Sequence, residues 1–179
     1  MKRKTEYDAT KLTQVATNKA VMSVYVDAFP IEQVRLRFAE FEDAKNTIDI
    51  YLSFEDVLRI VQDIKSSKIF KDMQSSQYPI QISFGGSVKD GKVESRSITF
   101  GMQNNKIYIN AQKGPGKTTN TGAIILDGQP TKKVSVGMSI DDFKGVFLYT
   151  EAGINAYLPT LVGQLVETAE ENRKKMQNN

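Results

Sequence analysis

Residues 47–57, TIDIYLSFEDV, and residues 133–143, KVSVGMSIDDF, align without a gap, and the match is one of chemistry rather than identity. Ile48, Ile50 and Leu52 stand where Val134, Val136 and Met138 stand, at the period of two that marks a strand with one buried face. Ser53 and Asp56 then stand where Ser139 and Asp142 stand. A hydroxyl followed three residues later by a carboxylate marks a helix start, because the pair satisfies backbone N–H groups that the first turn leaves without partners. A strand running straight into a capped helix, twice in one chain, predicts a duplicated unit.

Upstream of the first copy, VMSVYVDAF (residues 21–29) is rich in strand-forming residues and is stopped by Pro30. In residues 32–42 the apolar Val34, Leu36 and Phe38 alternate with Arg35, Arg37 and Ala39, which predicts a meander with one dry and one wet face. Val57, Leu58, Val61 and Ile64 follow Ser53 at helical spacing, and the helix is expected to end near Ser66-Ser67. Residues 66–79, SSKIFKDMQSSQYP, read as a connector. Beyond it, strands are expected over Ile80–Phe84, Val93–Met102, Lys106–Ala111, Ala123–Asp127 and Lys132–Met138. Turn signals separate them at Gly85-Gly86, Asp90-Gly91, Asn104-Asn105 and Asp127-Gly128. Gly153 and Pro159 are expected to divide the C-terminal helical region, with Leu161, Leu165, Val166 and Ala169 as the apolar stripe of its last piece.

The expected fold is therefore α+β, with two antiparallel β-sheets each followed by a helix, in a single domain over residues 1–179. Its parts are a polar arm or short first strand at 1–19, halves at 20–66 and 80–158, and a C-terminal helix at 160–176. An OB-fold-like barrel is the alternative if the connector hides another strand. This layout resembles that of the Whirly family and the related PC4-like single-stranded DNA-binding proteins. The resemblance implies two sheets packed across each other, helices that mediate assembly, and single-stranded DNA lying across sheet faces. The Lys-Gly-Lys-Ala-Ala-Leu type motif of plant members is absent as a continuous string, so no site residue is carried over.

Composition narrows the chemistry further. The chain has 179 residues, a formal net charge of +3, and no histidine, cysteine or tryptophan. Zinc sites, disulfides and histidine-based triads are excluded, which points away from an enzyme and toward a reducing, cytoplasmic setting with no cofactor. Met1-Lys2-Arg3-Lys4 has the charge of a signal sequence, but polar residues follow where an apolar stretch would be required. No apolar run approaches the roughly 20 residues of a membrane span.

Single-strand binding needs cations for phosphates and exposed aromatics on which bases stack. Arg35 and Arg37 with Tyr51 and Tyr25 fall on expected outward positions in the first half, and Lys106 with Tyr108 in the second. Arg96, Lys113, Lys117, Lys132 and Lys133 complete the candidate set. Gly114-Pro115-Gly116-Lys117-Thr118-Thr119 looks like the end of a phosphate-binding loop, but Ala111 stands where the motif needs glycine, and a turn and strand are expected where it needs a helix. A flexible basic loop over Gln112–Gly122 is the expectation instead. Asp141-Asp142 and Glu55-Asp56 read as first-turn carboxylates facing helix dipoles. Glu170 with Lys174 and Glu171 with Lys175 read as favourable pairs on a solvated helix end. The function expected is non-catalytic, largely sequence-independent binding of single-stranded DNA, with RNA as a second option, by a homo-oligomer. The alternative is a protein-interaction or scaffold module of a phage or mobile element.

Overall fold

The computed structural model describes residues 9–43 and 46–177, so the basic start of the chain, Met1-Lys2-Arg3-Lys4 included, lies outside the described residues. Strands β1 (Lys11–Ala16), β2 (Ala20–Tyr25), β3 (Gln33–Glu40) and β4 (Thr47–Ser53) form a four-stranded antiparallel sheet in chain order. Of the two options for the N-terminal segment, the strand is found, paired with β2 from Lys11–Tyr25 to Ala16–Val21. Helices α1 (Phe54–Lys65) and α2 (Lys68–Ser75) follow.

The second sheet comprises β5 (Ile80–Lys89), β6 (Lys92–Gln103), β7 (Lys106–Thr118), β8 (Ile124–Leu126) and β9 (Lys132–Met138), and α3 (Ile140–Gln177) closes the chain. One edge of β7 serves two partners: β9 pairs with Ile107–Lys113, and β8 with Gly116–Thr118. The class is thus α+β with two antiparallel sheets and a C-terminal helix. No closed OB-like barrel forms among the described residues, although the far end of the second sheet curls into a half-barrel. Glycine permits that curl. A Cβ on Gly86 would lie 2.8 Å from the Ile124 side chain and 1.9 Å from the Glu94 carbonyl oxygen, and one on Gly116 would lie 3.0 Å from Ile124. Gly85-Gly86 is therefore strand interior, not the turn expected from it, because β8 folds back onto a surface that must carry no side chains.

The two strand-to-helix junctions match in detail. Ile48, Ile50 and Leu52 are buried, as are Val134, Val136 and Met138. Ser53 Oγ accepts from the Asp56 N–H at 3.1 Å, and Ser139 Oγ accepts from the Asp142 N–H at 3.0 Å. Inward faces of both sheets share one core with the helices, where Phe100, Phe143 and Phe147 pack ring against ring at 5.0–5.7 Å. Phe29 joins Phe54 and Tyr157 in a second aromatic contact beneath α3.

Two expectations about helices are corrected. The connector contains α2, whose Ile69 and Met73 lie one turn apart and are both buried. Nor do Gly153 and Pro159 divide the C-terminal region, which is one helix of 38 residues. Gly153 serves packing: a Cβ there would come within 3.2 Å of Leu12 on β1. Leu161 is partly buried, but Val162, Leu165 and Val166 are more than half exposed, so the expected apolar stripe is largely open to solvent. The Lys175 side chain lies outside the described residues.

Candidate nucleic-acid interface

The candidate residues fall on two separate surfaces. Tyr25, Arg35 and Tyr51 are cross-strand neighbours on one side of the first sheet, and Ser23, Arg37 and Asp49 form the next row. Alternation places the arginines opposite the core strip, as expected, but the surface there is not simply wet. Arg35 is 4% exposed and Tyr25 5%. The Arg35 guanidinium lies 4.3 Å from the Tyr25 ring centre, donates to Asp27 at 3.1 Å, and reaches the second Asp27 oxygen at 2.7 Å. Arg37 grips Asp49 with two hydrogen bonds of 2.7 Å. Tyr51 is exposed.

Arg96 extends this charged seam to the second sheet. It donates to Glu94 at 2.9 Å and to the backbone carbonyl of Asp49 at 3.4 Å, while Lys113, opposite Arg96 in the ladder, reaches Glu94 at 2.7 Å. Lys132 lies opposite Lys113 on β9. Partial burial pushes the Glu94 carboxyl upward, but hydrogen bonds and positive charge from Lys113 and Arg96 prevail and hold it below its ordinary value. Seven candidates, Tyr25, Arg35, Arg37, Tyr51, Arg96, Lys113 and Lys132, are thus gathered along one seam. Four of its cations are already matched to carboxylates, and a phosphate would have to displace bidentate or buried pairs to reach them. The seam is a clasp between sheets before it is an anion site.

Lys117 is set apart. The expected loop over Gln112–Gly122 is strand as far as Thr118, hydrogen-bonded to β6 on one side and β8 on the other, so the glycines serve curvature rather than phosphate wrapping. Lys117 itself is exposed and lies 3.3 Å from Asp127.

The other surface is the outer face of the second sheet. By register it carries Gln103–Lys106, Gly101–Tyr108–Gly137, Thr99–Asn110–Ser135 and Ser97–Gln112–Lys133 as successive rows. These eleven positions include Lys106 and Lys133, both exposed, and no carboxylate. Glu40 of the first sheet borders the face near Lys133, where the two flank a shallow hollow with Lys19, Asn110 and Gln112. Ser135 donates to Asn110 at 2.8 Å, and Asn110 donates to Thr99 at 3.4 Å, so the central row is tied together without charge.

At one end of this face a cleft of about 400 Å³ opens between the strands and the segment that follows α2, lined by Tyr78, Pro79, Gly101, Gln103, Tyr108 and Asn110 among others. Tyr78 is 73% exposed. The Tyr108 ring rests on Gly137, whose Cβ, if present, would lie 3.0 Å from it, and Pro79 similarly rests on Gly101 at 3.4 Å. Tyr108, Lys106 and Lys133 were legible from alternation. Tyr78 and the amides were not, because a tyrosine in a connector and uncharged polar residues on a strand carry no signal until the two segments are brought together.

Among the described residues no group of carboxylates could hold a metal ion, and no helix is long and apolar enough to cross a membrane. No model of a known protein family matches the chain, and no curated protein matches it.

Proposed function

We propose that this α+β protein binds single-stranded nucleic acid, DNA in the first instance, without catalysis, through the outer face of its second sheet. The observation that carries this reading is the composition of that face: two exposed lysines, a braced tyrosine and a band of amides and hydroxyls, with no carboxylate in its rows. Cations near an open, hydrogen-bonding surface attract the backbone, and aromatic rings accept unpaired bases. A duplex would hide its bases from such a face. The kinship suggested to Whirly and PC4-like proteins rests on the layout of two sheets each followed by a helix alone, from which the half-barrel and the long α3 depart. Self-association belongs to the same proposal and is supported by the uncovered apolar turns of α3.

Fluorescence anisotropy of a labelled oligo-dT against a duplex of equal length tests the proposal, at two salt concentrations. Binding is expected to favour the single strand and to weaken as salt rises. Lys106→Ala with Lys133→Ala is expected to lower affinity and flatten the salt dependence by about one to two counterions, since each phosphate contact contributes a slope of roughly 0.7 on single strands. Absence of binding at low salt would overturn the proposal and favour the scaffold reading, in which the same face meets protein.

A further inference from the structure

Resting on that reading, we infer that the cleft between Tyr78 and Tyr108 receives one unpaired base of the bound strand and confers a base preference at that position. The cleft combines three properties that suit a nucleobase. Its two tyrosines come from different segments, one on the second sheet and one following α2, and both line the same opening. Every lining residue is uncharged: Met73, Met102 and Pro79 supply apolar surface, and Gln77, Gln103 and Asn110 supply amides. The volume of about 400 Å³ falls within the range of small-ligand sites.

A flat, uncharged ring with a hydrogen-bonding edge matches such a lining better than a phosphate or a charged peptide side chain. Asn110 is already oriented by Ser135 and Thr99, and an amide held in place can offer a donor and an acceptor to a base edge in a fixed arrangement. Lys106 stands opposite Gln103 at the rim, where it meets the phosphate beside an inserted base. Glycine at 101 keeps the floor low beside Pro79, and a Cβ at 137 would lie 3.0 Å from the Tyr108 ring, which would have to give by a few tenths of an ångström. The preference conferred is local, one base in each bound segment, and the rest of the face remains indifferent to sequence.

The test uses labelled dT10 and a decamer of the same charge with abasic residues throughout, measured by anisotropy on the wild-type protein, Tyr78→Ala and Gln103→Ala. Tyr78 is exposed, so its replacement leaves the fold intact. The abasic strand is expected to bind the wild type about 5- to 150-fold more weakly than dT10, the range of one base stack. That gap is expected to shrink in Tyr78→Ala, and Gln103→Ala is expected to change the ranking of dT10 against dA10 and dC10. Equal binding of both strands by wild type and Tyr78→Ala would overturn the base site while leaving single-strand binding in place. No binding of either strand by the wild type would overturn both.

Discussion

Arg35 shows how far alternation reaches and where it stops. Its position on β3 places it opposite Val34 and Leu36, which one strand's pattern is enough to show. Its 4% exposure comes from Tyr25, Asp27 and Asp49, which reach it only when three strands are in register. On the second sheet, the depressed pKa of Glu94 ties the clasp to pH. A carboxyl held below its ordinary value of 4.5 contributes stability that is fully present above that value and is lost as the pH falls through the folded pKa. Glu94→Gln should therefore be less stable than wild type at pH 7, with the difference in denaturant midpoint closing as the solution is acidified toward pH 3. A difference that stays constant with pH would mean that Glu94 acts through shape alone.

Among the elements, α3 departs furthest from expectation. Its 38 residues span about 57 Å at 1.5 Å per residue, more than its packing against the sheets uses. Phe143, Phe147, Thr150 and Ile154 are buried, and the same side of the helix continues through Leu158, Leu161, Leu165 and Ala169 into solvent. An isolated helical extension of this length is marginal in water, and exposed Val162, Leu165 and Val166 add a cost that a partner would remove. Leu165→Glu with Val166→Glu is expected to convert a concentration-dependent oligomer into a monomer in analytical ultracentrifugation. Wild-type protein that stays monomeric at high concentration would remove self-association from the proposal. Helix starts, by contrast, were legible at Ser53 and Ser139, since a cap is made within three residues and needs no tertiary partner. The strand limits of β5 and β7 were not legible, because Gly85-Gly86 and Gly114-Pro115-Gly116 mean a turn in isolation and a curl when β8 lies against them.

At the scale of the whole molecule, the two halves, each a sheet leading into a helix, do not each enclose a core. Strands of both sheets and helices α1, α2 and α3 contribute to one apolar cluster, and Lys65 of α1 meets Glu151 of α3 at 2.7 Å across the halves. Unfolding is expected to be a single transition, with near- and far-ultraviolet circular dichroism coinciding in denaturant, and residues 1–78 expressed alone are expected not to fold. Two separated transitions would show the halves to be independent.

The sequence by itself determined which residues turn inward, where two helices begin, and that two antiparallel sheets lead into helices, because these follow from periods of two and 3.6 and from caps made within a few residues. The tertiary structure alone decided which outward residues remain available. It spent Arg35 and Arg37 on Asp27 and Asp49 and spent Arg96 and Lys113 on Glu94, left Lys106 and Lys133 on rows without a carboxylate, and brought Tyr78 to Tyr108. Glu94 and Arg96 are two residues apart, but the other pairs and the cleft join different segments of the chain, and such contacts leave no period in the sequence.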